Sequence, residues 1–317
     1  MVCLNASTLR IQRFGTVAIS VVFIPLLALL CFAEAQTLKS GESDGGQRKV
    51  ALIVHVTDQG GYPVAPNSVK DVLVMERGKK LQVVDGPKIA GPKRIALLLD
   101  SNFHQRKVLA LEQQNAVELL SEFEKTEAQA LVMSYGTEIH SSGELVDDWD
   151  SLKNFTASLT VETDKHNETV LLYDAMKRAF EKLSDGPGTK AVVIFAEGND
   201  HGSSIGWKSL TRLAHRAQIA CYVVLFADHS FYGREVRHYG WCLVELVPKT
   251  GGRLWEVGDN PRKARETEQQ VTRALDSQGL VEVLVPDVHL DRFHPVKVTS
   301  SGRQVTAQTG YFDDAMQ

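Results

Sequence analysis

Three short stretches hold side chains whose types and spacing suit ion binding. In "LLLDSNFHQ" an apolar run ends in Asp100, and Asn102 and His104 follow at alternating positions. Glu168 and Thr169 stand just ahead of "LLYDAM", and "AEGNDHGSS" brings Glu197, Asn199, Asp200 and His201. Carboxylates, an amide, a hydroxyl and imidazoles from three loops make a donor set for one divalent cation. Oxygen donors suit magnesium or calcium, whereas imidazole shifts the preference toward manganese, zinc or nickel. The candidate metal ligands are Asp100, Asn102, His104, Thr169 and Glu197. The competing reading is a hydrogen-bonded polar cluster that caps strand ends and holds no ion.

Other polar residues fit structural roles better. Asp174 falls at a helix start, where an acid complements the helix dipole. Asp200 and His201, ahead of Gly202-Ser203-Ser204, suit capping of the following helix. The remaining histidines, His55 and His294 among them, lack ligand spacing and read as surface or locally satisfied groups. Asn167-Glu168-Thr169 matches a glycosylation acceptor, which has meaning only in a eukaryotic secretory context. No Gly-x-Ser-x-Gly, phosphate loop or His-Glu-x-x-His helix is present, and nothing in the spacing supports a Ser101, His104 and Asp200 constellation. The expectation is a protein that is not an enzyme.

The elements that must position these residues are legible as patterns. Near-continuous apolar runs at "RIALLLD", "ALVMSYG", "KAVVIFAEG", "IACYVVLFAD" and "GRLWEVG" read as strands buried on both faces of a mainly parallel sheet. Between them, "KVLALEQQNAVELLSEFEK" repeats Leu109, Ala116, Leu120 and Phe123 at helical spacing. "LLYDAMKRAFEKLSDG", "WKSLTRLAHRAQ" and residues 262–275 complete the helices. This is a doubly wound α/β pattern, whose ligands bind beyond the carboxyl ends of the strands. At the chain's two ends, "VALIVHVTD", a hairpin of "VLVME" with "LQVVD", and then "LVEVLVPDV", "PVKVTSS" and "QVTAQTGYF" read as strands of one small β-sandwich. The divisions expected are 1–35 signal peptide, 36–48 flexible linker, 49–92 amino-terminal sandwich strands, 93–278 α/β domain and 279–317 carboxyl-terminal sandwich strands.

Composition narrows the class. The chain has 317 residues, 43% hydrophobic and 23% charged, with a net charge of -4 and no basic stripe interleaved with aromatics, which argues against nucleic-acid binding. Arg10 and Arg13 precede an apolar run from Phe14 to Phe32, and Ala33-Glu34-Ala35 supplies a small-x-small cleavage pattern that leaves Gln36 first. Export to the periplasm or exterior follows. An uncleaved anchor, the one route to membrane association, is the alternative. Cleavage would leave Cys221 and Cys242. Export permits a disulfide between them, while their strand and helix positions fit two free buried thiols equally well.

The segments "VTDQGGYPV", "VKDVLVMERGKKLQVV", "IALLLDSNFH", "LLYDA", "AVVIFAEGNDHGSS", "VPKTGGRLWEV" and the closing "GYF", taken in order, resemble the secreted, acidobacterial-type family related to the von Willebrand factor A domain. The resemblance spans about Val50 to Phe312. It implies a central sheet with helices on both faces and a metal-ion-dependent adhesion site at the strand ends, at which a ligand carboxylate completes the shell of a magnesium ion. That site's pattern is Asp-x-Ser-x-Ser, a Thr in a second loop and an Asp in a third. Here Asp100 matches, Asn102 and His104 replace the serines, Val170 stands at the threonine position with Thr169 one residue early, and Glu197 replaces the last Asp. The resemblance therefore implies a degenerate site, with either no cofactor or one cation (magnesium, manganese or zinc), and an unidentified protein ligand as partner.

Overall fold

The structure is a computed structural model that describes residues 46–227, 240–287 and 291–313. The expected signal peptide and all but the end of the linker lie outside these residues. Strand β5 (Lys93–Asp100) shows why an unbroken apolar run makes a central strand. Successive side chains leave opposite faces of a sheet. Ile95, Leu97 and Leu99 accordingly enter one core, and Ala96 and Leu98 enter another. β8 (Thr189–Ala196) divides its residues the same way, and every one of them is buried.

β5 pairs in parallel with β6 (Ala128–Tyr135) on one side and with β8 on the other. Beyond β8 lie β9 (Ile219–Leu225) and β10 (Leu254–Glu256), both parallel. An antiparallel edge strand, β7 (Ile139–Ser141), follows β6. The six-stranded order is β10-β9-β8-β5-β6-β7. Because the chain leaves β5 toward β6 and later returns to β8 on its other flank, the loops after β5 and β8 diverge there. That is the crevice where doubly wound sheets bind ligands.

Helices cover both faces. The first core takes α1 (Leu109–Phe123), α2 (Trp149–Ser158) and α6 (Pro261–Asp276), and the second takes α3 (Leu172–Ser184), α4 (Trp207–Ala217) and α5 (Trp241–Lys249). The sequence pattern did not reveal α2. It has few apolar residues, and its identity rests on Asp148, whose carboxylate accepts hydrogen bonds from Ser151 N and Oγ.

The two ends of the chain meet as expected, in two four-stranded sheets. One is ordered β13-β1-β11-β4, from β1 (Gln47–Thr57), β4 (Gln82–Lys88), β11 (Gln278–Pro286) and β13 (Gln304–Ala307). The other is β14-β12-β2-β3, from β2 (Val72–Glu76), β3 (Lys79–Lys80), β12 (Phe293–Ser300) and β14 (Gly310–Phe312). The hairpin read as "VLVME" with "LQVVD" is corrected. Lys79 and Lys80 pair back onto β2, and the buried Leu81 still donates its N–H to Val74 O; β4 then crosses to the other sheet beside β11. Alternation alone does not reveal which sheet a strand joins. β1 also ties the sandwich to the α/β body: Leu52, Val54 and Val56 face the sandwich core, while Ile53 enters the first α/β core.

Candidate functional site

Asp100 ends β5 with no exposed surface. Its Oδ1 accepts hydrogen bonds from Asn102 N at 3.0 Å and from Asn102 Nδ2 at 2.5 Å. The amide's orientation is fixed chemically, because Asn102 Oδ1 accepts the His104 backbone N–H at 2.7 Å and so caps the short 3-10 turn Phe103–Lys107. Its nitrogen must therefore face Asp100. Burial pushes the Asp100 carboxyl up to about 7, against the Asn102 and Glu197 N–H groups and the Gln105 and Asn102 side chains, which favour its ionised form.

The other expected ligands lie around this core without completing it. His104 is half-buried, and its imidazole is held below the usual value by burial and by Arg106, with Glu168 pulling the other way. Val170 is buried and forms a two-way backbone bridge with His201, so the position where the resemblance places a hydroxyl presents none. Thr169 turns its methyl toward Gly202, where a Cβ would come within 3.1 Å. Glu197 is buried at the end of β8. The next residue, Gly198, has φ +102, and a Cβ there would lie 2.8 Å from the Gly240 backbone, so only glycine fits.

Among the described residues, no group of three or more His, Cys, Asp or Glu side chains is arranged to hold a metal ion. The donor chemistry agrees. A cation at Asp100 Oδ1 would meet an amide nitrogen in place of an oxygen, and an aliphatic side chain stands in place of a hydroxyl at Val170. As arranged, these residues do not fit the magnesium shell that the resemblance implies.

The structure adds a residue that the sequence reading missed. Glu112 of α1 is fully buried, and neither carboxylate oxygen has a hydrogen-bond partner. Burial, with the nearby Asp100 and Glu197 charges, raises its carboxyl well above the usual range. The same surroundings raise the Tyr135 hydroxyl, which donates to Phe195 O at 3.1 Å. Glu112 was findable, since it shares the helical stripe of Leu109, Ala116 and Leu119 and is the one acid on it.

Asp174 and Asp200 are structural, with one correction. Asp200 does not cap the helix that follows it. Its Oδ1 accepts from Tyr173 N at 2.9 Å at the start of α3, and from Ser203 Oγ at 2.6 Å. Asp174 in turn accepts from Ser204 N and Oγ. The start of α4 falls instead at Gly206, which has no capping side chain. Ser101 Oγ donates to Tyr135 O, which leaves no Ser101, His104 and Asp200 relay. Cys221 and Cys242 are free thiols. Cys221 is buried, with its thiol pushed up to about 12, while Cys242 is only half-buried.

A central parallel strand ending in a buried Asp, flanked in the order β10-β9-β8-β5-β6-β7 with one antiparallel edge, decides the architecture. The fold is von Willebrand factor A-like. No protein-family model matches the chain, and no curated protein matches it. Solved structures similar to it include the conserved hypothetical protein BatB from Bacteroides thetaiotaomicron (13% identity, 59% of this chain and 100% of that one, TM-score 0.46). The SpRpn10 VWA domain is another (13% identity, 56% of this chain and 95% of that one, TM-score 0.42). A third is proximal thread matrix protein 1 from the mussel byssus, with a zinc-occupied MIDAS motif (12% identity, TM-score 0.47). This chain spans about half of that protein's length, with 62% of this chain and 48% of that one covered. The A-like assignment stands on the strand order and the position of Asp100.

Proposed function

We propose that this chain is an exported, non-enzymatic protein-binding module that recognises its partner through the loops at the carboxyl ends of β5 and β8, without a bound cation. The observation that carries this reading is the closure of Asp100 by Asn102. Oδ1 of the carboxylate that would anchor an ion is already taken by the Asn102 N–H and its amide nitrogen, while Oδ2 is buried without a hydrogen-bond partner. Recognition then works through hydrogen bonds and shape across His104, Thr169 and the loop after β8. The tied-down Ser101 hydroxyl supports a binding role over a catalytic one. Export rests on the amino-terminal pattern of charge, apolar run and small residues. No helix among the described residues is long and apolar enough to cross a membrane.

The test is thermal unfolding of the chain from Gln36 onward, in chelator and then with magnesium, manganese or zinc. A ligand that binds only the folded state raises its stability by about 2.7 kcal/mol at a hundredfold excess over its dissociation constant. The expected result is no shift with any ion. A shift that disappears in Asp100→Ala would instead establish a metal-dependent adhesion site with Asp, Asn, His and Glu ligands. Chelator-sensitive turnover of a generic ester or phosphoester would point to a metal-dependent hydrolase.

A further inference from the structure

We propose that the amino-terminal half of β1 is a docking edge for an extended, acidic segment of a partner protein. β1 pairs with β11 from Gln47 to His55, but with β13 only from Val54 to Thr57. Ile53 directs its backbone away from β11: its N–H donates to Gln308 Oε1 and its C=O accepts from Gln308 N, both at 2.9 Å. The alternation of an antiparallel strand turns the N–H and C=O of Ala51 and Lys49 the same way. Among the described residues, no strand pairs with them on that side.

These groups border a slot of about 210 Å³. Its lining also includes Tyr311 and Phe312 of β14, the edge strand of the second sandwich sheet. The outward carbonyls of β14 are already taken, Phe312 O by Arg48 Nη2 at 2.9 Å and Gly310 O by Gln308 Nε2 at 2.8 Å, so the open edge on this slot is that of β1. Arg48, Lys49 and Arg216 line it and no Asp or Glu does; Arg48 is paired with Asp287 at 4.0 Å, so the exposed Lys49 is the charge that the β1 edge itself presents. It adjoins a larger depression of about 550 Å³ that shares Arg216 and Gln218 and adds Lys177 and Lys190 against a single acid, Glu181. Strand addition draws affinity from main-chain hydrogen bonds and specificity from flanking side chains. Here the flanking charge selects an acidic segment. Gln218 leads into the start of β9, so this slot lies at the opposite end of the parallel strands from Asp100 and is independent of the recognition face proposed above.

The experiment is fluorescence anisotropy of the chain with a labelled peptide alternating Glu and Val, a Lys-Val counterpart, and an N-methylated copy of the acidic peptide that keeps its charges but lacks N–H donors. Saturable binding of the acidic peptide alone is expected, lost on N-methylation and weakened about tenfold or more by Lys49→Glu, since a charge reversal beside a docking edge acts directly on complementarity. Ala51→Pro removes an outward N–H from the edge and should act likewise, with circular dichroism verifying its fold. Equal binding of the N-methylated or the Lys-Val peptide overturns strand addition, and so does the absence of acidic-peptide binding, which would make Lys49 a guard against edge pairing.

Discussion

Glu112 lies on the core-facing stripe of α1 with both carboxylate oxygens unpartnered. A buried polar group without a hydrogen bond destabilises a fold by about 1–3 kcal/mol. The pH dependence follows from the direction of its shift. The folded carboxyl titrates well above the unfolded value of 4.5, so its contribution is intact below pH 4.5 and is lost as pH rises beyond it. Glu112→Met, similar in volume and apolar, should therefore raise stability at pH 7.5 by about 1–3 kcal/mol, with the gain shrinking toward pH 4. Urea denaturation at the two pH values measures this. An equal or negative effect at pH 7.5 would show that Glu112 is bonded in solution. Asp100 titrates upward for the same first reason, burial, and Asn102, Gln105 and the Glu197 N–H work against that rise.

At the scale of elements, the start of α3 and the segment leading to α4 hold each other. Asp200 serves Tyr173 N, Asp174 serves Ser204 N, and Ser203 Oγ both donates to Asp200 and accepts from Asp174 N. Losing a cap of this kind lowers stability by about 0.5–2 kcal/mol. Asp200→Ala should fall in that range, and Asp174→Ala should add less than its own separate effect because the two carboxylates hold adjacent residues, Ser203 and Ser204, of one segment. A double-mutant cycle reads the coupling, and strict additivity would mean that the two contacts act alone. Sequence reasoning saw both acids as structural but assigned Asp200 to the wrong helix. Local order favours the helix that follows, and only the Val170–His201 bridge brings the start of α3 across to it.

At the scale of the whole molecule, two histidines set opposite pH limits. His55 of β1 sits where the sandwich meets the α/β body, with Nε2 at 2.6 Å from Gly251 O and Nδ1 at 3.0 Å from Ala274 O. Burial lowers it to about 4. The unfolded chain then binds more protons than the folded one between pH 4 and 6.5, so this contribution is lost as pH falls through that window. His294 of β12 lies between Glu76 at 2.6 Å and Asp313 at 2.8 Å. Burial lowers it, but hydrogen bonds to both carboxylates outweigh burial and leave it raised. Its contribution is intact below pH 6.5 and is lost as pH rises through the folded value. His294→Gln should flatten the decline of the unfolding midpoint above pH 6.5, and His55→Gln the decline below it. Midpoint scans of both variants that parallel the parent across pH 5–8 would remove these two groups as the cause.

Hydrophobic period alone determined much of this protein. The continuous runs that became β5, β6, β8 and β9, the stripe of α1 and the alternation of β1 are local consequences of how strands and helices present side chains, and they carried the fold class. Asp100 was legible because an acid closing a buried strand contradicts its surroundings. The tertiary structure alone decided that Val170 is spent on a bridge to His201, that β4 leaves its hairpin for the other sheet, and that Glu112 joins the buried acids. Each of these depends on a partner far along the chain, and spacing along the sequence does not specify which distant group will satisfy a hydrogen bond or cover a buried side chain.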